Sequence, residues 1–499
     1  MKDTPSVSGP GRYPAISTAS LAKVFALLVF ILVAIQFNTH FWLDETSGYW
    51  TTNGGLSEIV HRCTLWPHSI LYSCLLLALR SLGSHQPWVF RLPSLLAILA
   101  ACSLLFRLTA RLFDRQTAWL TLAIFISLPP VQFAAGDARS YALGMLCAIC
   151  STDLLVRLLD QPTYKLALAY GLVAGLVLHF HLLFCTVLAF HFCYFLMTRF
   201  AGLRLGVSYS ATAALTVALV TSPLAYQYLI AAHDAKSHVF APPPLLSEVW
   251  MTYFPDVCAI ALLITGIFLL ASDRPAVLAI PASKLHGVLA LLWALVPVAL
   301  LFVLSVVSSV HVFVPRYLLP FSPGLAICLA GVLAAVPNRL LSPLFLAVLI
   351  VLMCLHLRHP SKLSHAQYLG DWAEAFAFVD QQTASNHAPV LFRSEFPESD
   401  FMPLYPIEDS PLFSQLSFYP CHAQLIPLAR TFQETQLTQL DDLLATRLNS
   451  SPRFFFMFHG SLSAADQIVY YLRGRLGPTW QTRATEFDGA NVMEFYRTP

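Results

Sequence analysis

Three short polar segments interrupt a chain that is otherwise mostly apolar, and their residue types could do chemistry. Phe41-Trp42-Leu43-Asp44-Glu45-Thr46 places an acidic pair just after the first long apolar stretch. Asp137-Ala138-Arg139-Ser140-Tyr141 closes another such stretch, and Pro315-Arg316-Tyr317 opens a late one. Charged groups are expensive near a bilayer, so each segment at a membrane edge is a functional hypothesis by default. Asp44 and Glu45 could act as a general base, as metal ligands, or as a pair that stabilises a cationic transition state. The structural alternative is a solvated loop acid that caps a helix around Thr46 to His61, with Trp42 and Tyr49 suited to an interface or a sugar-facing surface.

The other polar residues carry similar pairs of readings. Arg139 with Asp137 could anchor a phosphate or orient a substrate, because a guanidinium makes bidentate contacts with phosphate oxygens. The same two residues could form an ion pair at a helix start, with Tyr141 as an interface anchor. Arg316 is the last charge before Arg339. It could clamp the phosphate of a lipid carrier or snorkel among headgroups. His179 and His181 flank Phe180 in a short turn and suit substrate contact or interface placement. A metal site there needs further ligands that the sequence does not nominate. His61 and His68 carry a weaker version of the same ambiguity. The loop from His233 to Trp250, with Asp234, Lys236, His238 and Pro242 to Pro244, reads as a lid or as a connector.

These residues must be held by membrane helices. Of 499 residues 57% are hydrophobic and 11% charged, against about 25% charged in soluble domains. The net charge of +2 gives no reason to expect a nucleic-acid partner. Apolar runs recur from residue 22 to residue 356, and a span needs about 20 residues. The run at 68–83 is short and decides the topology. Lys2, Arg12 and Lys23, then Arg107, Arg111 and Arg115, then Arg157, Lys165, Arg199, Arg204, Arg274, Lys284 and Arg339 all fall inside if 68–83 lies flat or dips into the interface. This predicts about eleven spans plus interfacial helices, a cytoplasmic amino terminus and an external tail. It also places Asp44, Glu45, His61, His68, Asp137, Arg139, His181 and Arg316 on the outer face.

The expected organisation is a disordered cytoplasmic segment over 1–20, a transmembrane catalytic domain over 21–357 and an external soluble α/β domain over 358–499. Of the 56 Asp, Glu, Lys and Arg residues, 25 lie from Arg358 onward. In this tail Ser361 to Asp380 reads as an amphipathic helix carrying Trp372 and Phe376. Pro389 to Phe392 and Arg453 to Phe458 read as buried strands, and Thr435 to Leu448 as helical. Cys147 and Cys150 form a CxxC without a second pair, inside an apolar helix. Cys421 is the only tail cysteine, so no disulfide is expected within the tail.

The three segments together resemble those of GT-C glycosyltransferases that use polyprenyl-phosphate-linked sugars, in particular the branch of dolichyl-phosphate-mannose–protein mannosyltransferases and lipid A aminoarabinose transferases. Phe41 to Glu45 resembles the family's first external acidic motif. Asp137-Ala138-Arg139-Ser140-Tyr141-Ala142-Leu143 looks like its acid-Ala-Arg-x-Tyr-Ala-Leu segment. Arg316-Tyr317-Leu318-Leu319-Pro320 is similar to its late arginine segment, and Arg91-Leu92-Pro93-Ser94 matches a frequent helix start. Trp66-Pro67-His68 departs from the family's His-Pro-Pro pattern. The resemblance implies an α-helical polytopic membrane protein with a GT-C-like fold. It implies an inverting transferase that moves a sugar from a polyprenyl-phosphate carrier to an acceptor hydroxyl of a protein, lipid or glycan, on the outside of the inner membrane. Asp44 would be the general base and Glu45 its support. Arg316 and Arg139 would hold the donor phosphate, and Asp137, Tyr141, His61, His68, His181 and Tyr317 would contact substrate. No cofactor is expected; a divalent metal is possible in the family but not indicated here. The competing class is a secondary transporter or lipid flippase, which would favour inverted repeats and midplane charges. Asp153 is the clearest acid inside a predicted span, and no repeat is visible.

Overall fold

The computed structural model describes residues 18–36, 40–66, 68–83, 85–203, 205–233, 241–253, 256–270, 284–335, 341–358, 372–394, 396, 399–400, 411–431, 434–459, 462–487 and 490–498. Up to Arg358 the described elements are helices. α1 (Thr18–Gln36) leads to two short helices, α2 (Leu43–Thr51) and α3 (Leu56–Leu65). The single helix read around Thr46 to His61 is broken at Gly54 and Gly55, whose φ values of 103° and 94° a side chain would resist. α4 (Ile70–Arg80) starts at Ser69, whose hydroxyl accepts from the Tyr72 amide at 3.2 Å. Its 11 residues reach about 16 Å, roughly half a hydrocarbon core.

α5 (Pro87–Leu112) begins on a proline that needs no amide partner. α6 (Arg115–Ser127) is capped by Asp114, which accepts from the Thr117 amide at 2.9 Å. It bends by 71° into α7 (Pro129–Ala135), because Pro129 and Pro130 cannot continue its hydrogen-bond ladder. The series continues with α8 (Tyr141–Asp160), α9 (Tyr164–Phe180), α10 (Cys185–Phe200), α11 (Val207–Thr221), α12 (Ala225–His233), α13 (Leu246–Tyr253), α14 (Asp256–Leu270), α15 (Lys284–Val307), α16 (Ser322–Ala335) and α17 (Leu341–Arg358).

Five described stretches are long and apolar enough to cross a membrane: Pro87–Leu112, Tyr141–Asp160, Leu182–Phe200, Val207–Leu229 and Lys284–Val307. The bent pair α6–α7 makes a sixth, against the eleven expected. Ala22–Val33, Tyr164–Phe180 and Leu319–Ala334 are apolar but shorter. α9 and α11 pack closely because Gly171 and Gly175 leave room: a Cβ on either would lie 2.6 Å from Thr216 or Val220.

The tail builds a five-stranded sheet in the order β2-β1-β3-β5-β4, from β1 (Val390–Arg393), β2 (Leu425–Pro427), β3 (Arg453–His459), β4 (Trp480–Phe487) and β5 (Ala490–Arg497). β2, β1 and β3 are parallel, and β5 runs antiparallel to both β3 and β4. α18 (Trp372–Thr383) covers one face. α19 (Glu434–Leu443) and α20 (Leu462–Leu476) cover the other. The apolar run of β3 is buried on both sides: Phe454, Phe456 and Phe458 face α19 and α20, and Phe455 and Met457 face α18. Sequence reading found β1, β3 and the helix at 434, but not β2 or the β4–β5 hairpin. The hairpin's signal was Asp488-Gly489 between two alternating stretches.

The α18 side of this sheet shares one hydrophobic cluster with Phe41, Tyr49, Tyr72, Leu76 and Phe90 of the helical part. Phe418 wedges between them, 4.3 Å from the Phe41 ring and 5.0 Å from Tyr49. The Phe41 amide donates to the Tyr419 hydroxyl at 2.6 Å, and the Thr46 and Ser414 hydroxyls lie 3.2 Å apart. The tail is thus seated directly on α2.

Glu45 ties these parts together. It is 1% exposed, and four donors reach its carboxylate. Arg91 Nε on α5 donates to Oε1 at 2.7 Å and Nη2 to Oε2 at 2.5 Å. The Ala138 amide donates to Oε1 at 2.8 Å and the Trp42 amide to Oε2 at 3.2 Å. Arg91 Nη2 also donates to the His40 carbonyl at 2.8 Å. One residue therefore joins α2, α5 and the loop before α8. Removing one partner of a buried ion pair leaves the other charge uncompensated. Glu45→Ala is expected to cost about 3–5 kcal/mol of stability, read as a large drop in thermal unfolding midpoint in detergent. A surface substitution such as Glu58→Ala should leave the midpoint nearly unchanged.

Candidate active site

A cavity of about 310 Å³ opens among the ends of the helices. Its wall is built from Asp44, Ser47 and Gly48 of α2, from His68, Ser69 and Tyr72 around the start of α4, and from Arg139 to Tyr141 at the start of α8. The turn from Leu178 to Leu183, Gln227 and Tyr228 of α12, and the segment from Val310 to Tyr317 close the other sides. The tail contributes Phe396 and Pro411.

Among the described residues Asp44 is the only acid in this wall. Its Oδ2 lies 3.6 Å from Arg316 Nη1, and its backbone carbonyl accepts from Arg139 Nη1 at 2.9 Å. The Arg316 guanidinium packs against two rings, 5.3 Å from the centre of Tyr317 and 5.7 Å from Trp42. Two arginines far apart in sequence are therefore brought to one aspartate, Arg316 to its carboxylate and Arg139 to its backbone carbonyl. The loop after α15 carries Arg316 in a single 3₁₀ turn, Pro315–Tyr317, and Arg139 sits just before the first turn of α8.

His181 ends α9 and is held between aromatic rings, 5.1 Å from Tyr141 and 5.0 Å from Tyr317. Burial, then the charges of Arg139 and Arg316, push its pKa down to about 3, so the ring is neutral. Its Nδ1 is buried with no hydrogen-bond partner among the described residues. His68 lines the cavity with its Nδ1 3.4 Å from the Thr51 hydroxyl. The segment around it is clamped by Gln227, whose Nε2 donates to the Cys63 carbonyl at 2.7 Å and the His68 carbonyl at 2.8 Å. His179 also lines the cavity, with Nε2 2.7 Å from the Val220 carbonyl.

Of the residues singled out from sequence, Asp44, Arg139, Arg316, Tyr141, Tyr317, His68 and His181 meet in the wall. Three do not. Glu45 points away from the cavity, because adjacent helical residues project about 100° apart; its carboxylate is consumed by Arg91 and two amides. Asp137 is 1% exposed and lies behind the wall, where its Oδ1 accepts from Trp42 Nε1 at 3.0 Å. It makes no ion pair with Arg139. Among the described residues its Oδ2 has no partner. Burial and then the Glu45 carboxylate push the Asp137 carboxyl well above the usual carboxylate range. His61 is exposed on α3, outside the cavity wall. Asp234, Lys236 and His238 lie outside the described residues. Cys147 and Cys150 are free thiols on α8, and among the described residues no three His, Cys, Asp or Glu side chains converge as a metal set.

Sequence reasoning missed Gln227 and His311 in the wall and the anchoring role of Arg91. Arg91 had a signal, since it is a charge at the start of an apolar helix. Gln227 had none, because its work is to hold two carbonyls more than 150 residues away. The arrangement as a whole sets one carboxylate beside two guanidinium groups and a neutral imidazole. It can bind an anion and take a proton at neighbouring positions.

No protein-family model matches this chain, and no curated protein matches it by sequence. Among solved structures it is similar to ArnT from Cupriavidus metallidurans in the apo state, with TM-score 0.53 and 13% identity over 96% of this chain and 98% of that one. The same protein bound to undecaprenyl phosphate gives TM-score 0.50, again with 13% identity over 96% and 98% of the two chains. Arabinosyltransferase EmbB from Mycobacterium smegmatis gives TM-score 0.41 and 15% identity over 66% of this chain and 32% of its own. Over nearly its whole length this chain has the fold of ArnT.

Proposed function

We propose that this protein is a membrane glycosyltransferase that moves a sugar from a polyprenyl-phosphate carrier to an acceptor hydroxyl. The observation that carries the reading is the meeting of Asp44, Arg139 and Arg316 in one cavity from three distant parts of the chain. The ArnT-like fold supports it, and an ArnT structure of that fold is bound to undecaprenyl phosphate. The Lys and Arg distribution supports an external placement of cavity and tail, at the outer face of an inner membrane.

In this reading the acceptor hydroxyl enters beside Asp44, which takes its proton as general base. The acceptor oxygen attacks the anomeric carbon while the bond from that carbon to the phosphate oxygen breaks, so the sugar inverts. Arg316 and Arg139 hold the departing lipid phosphate and stabilise its growing charge. Two neighbouring cations suit a phosphate better than one, and Arg316 is already oriented by its two aromatic partners. Tyr141, Tyr317, His68 and His181 supply the remaining wall against sugar and carrier. Glu45 contributes by fixing the helix that bears Asp44. No step of this scheme requires a metal.

A transfer assay in membranes with labelled undecaprenyl-phosphate sugars tests the reading. Asp44→Asn is expected to lower transfer by about 10²–10⁴-fold with intact expression. Arg316→Ala should cost about 10²–10³-fold. Full activity in Asp44→Asn would remove the general-base role. Movement of labelled lipid across the bilayer with no transfer would favour the flippase instead. The depressed pKa of His181 gives a separate prediction. Its folded form resists protonation down to about pH 3 while the unfolded chain accepts a proton near pH 6.5. Stability is therefore lost as pH falls between those values. His181→Gln should lose less melting temperature than wild type between pH 7 and pH 4.

A further inference from the structure

Asp137 lies outside the cavity wall, yet it is among the most deeply buried acids of the chain. We propose that Asp137 is a positioning residue: as a neutral carboxylic acid it fixes the Trp42 indole against which Arg316 packs, and so sets where Arg316 meets a phosphate. The phosphate half of this inference rests on the donor reading above.

The contacts form a short series. Asp137 Oδ1 accepts from Trp42 Nε1 at 3.0 Å. The Trp42 ring is braced edge-on by Phe133, with centroids 5.7 Å apart. Its π surface lies 5.7 Å from the Arg316 guanidinium carbon. Arg316 in turn reaches Asp44 at 3.6 Å. An indole is a large, rigid support, and a cation over its face gains about 0.5–2 kcal/mol depending on desolvation. Without the hydrogen bond to Asp137 the indole would keep its packing against Phe133 but lose the contact that sets its in-plane orientation.

The neutral state follows from the surroundings. The Ala138 amide beside Asp137 is already committed to Glu45 Oε1. Glu45 carries its charge against Arg91, with two charge-assisted hydrogen bonds. The remaining oxygen of Asp137, Oδ2, is buried and has no partner among the described residues. A bare anionic oxygen in that position would cost far more than a neutral hydroxyl. Like charge nearby drives the second acid toward its protonated form. The charged and titratable groups that face Asp137 are Asp44 and Glu45 from α2, Tyr72 from α4, Arg91 from α5 and Arg139 from its own loop. Arg139 spends a hydrogen bond on the Asp44 carbonyl rather than on Asp137.

The test uses full-length protein in detergent with undecaprenyl phosphate as the probe. Asp137→Asn keeps an oxygen for Trp42 and stays neutral, so its affinity should remain within about threefold of wild type. Asp137→Ala and Trp42→Phe should each bind about tenfold more weakly. The double variant should be no weaker than the weaker single, because both remove one interaction. Asn as weak as Ala, or additive losses, overturns the proposal. A second readout does not depend on the donor. The unfolded chain releases this proton in the ordinary carboxylate range, while the folded chain keeps it to higher pH. Wild-type stability is therefore lost relative to Asp137→Asn as pH rises from 5 to 8. A wild type that instead gains on Asp137→Asn over that range overturns the neutral acid. Wild type that binds no undecaprenyl phosphate overturns the donor reading and the phosphate half of this inference, and the melting comparison still decides the acid.

Discussion

The buried Glu45–Arg91 pair is the constraint on which the site depends. Taking both charges out of water is costly, and only near-ideal geometry recovers that cost. Here the geometry is two-pronged, with contacts of 2.7 and 2.5 Å, and two backbone amides use the remaining acceptor capacity of the carboxylate. Such a pair tolerates little displacement. Because its donors come from α2, α5 and the loop before α8, it fixes three elements against one another. Asp44, one residue earlier on α2, and Arg139, one residue beyond Ala138, inherit that fixed frame. Their mutual contact, from Arg139 Nη1 to the Asp44 carbonyl, is a consequence of the frame rather than its cause.

The tail adds a second constraint of a different kind. Phe418, Tyr419 and Ser414 press α2 from the outside, and the shared cluster of Phe41, Tyr49 and Phe90 with Phe376 and Phe392 has no boundary between helical part and sheet. An acidic helix left uncovered is exposed to water on one side. Covering it dehydrates Glu45 and narrows the cavity, to which the tail adds Phe396 and Pro411. The tail sheet has its own core on the far face, around Phe454, Phe456 and Leu472, and sets its near face against the site.

Much of this was legible in the sequence because charge is rare in it. Against an apolar background Asp44, Asp137, Arg139 and Arg316 stand out individually, and the Lys and Arg count leads to the expectation that they share one side. The helix that should join Thr46 to His61 was misread because two glycines in succession were not weighed as a break. Of the eleven expected spans, five or six have a described helix long and apolar enough to cross, and others, such as α9, fold as shorter apolar helices. What could not be read at all is which acid faces where. Asp44 and Glu45 are adjacent and similar in chemistry, and only the phase of a nine-residue helix, set by packing against α4 and the tail, separates them. Gln227 was invisible for a related reason: its partners are carbonyls, and any residue type supplies those.

The division of labour between the acids follows from counting charges by position. Asp44, Glu45 and Asp137 face Arg91, Arg139 and Arg316, so the cluster could in principle be neutral with every group ionised. The geometry does not distribute the pairs that way. Arg91 donates to the Glu45 carboxylate and the His40 carbonyl, away from the cavity. Arg139 and Arg316 both attend Asp44, one through its backbone and one through its side chain. That leaves Asp137 hydrogen-bonded to a tryptophan and, among the described residues, without an ion pair. If Asp137 is uncharged, the cavity side holds two guanidinium groups against one carboxylate, an excess of one positive charge before any ligand arrives. An anionic lipid phosphate would cancel that excess.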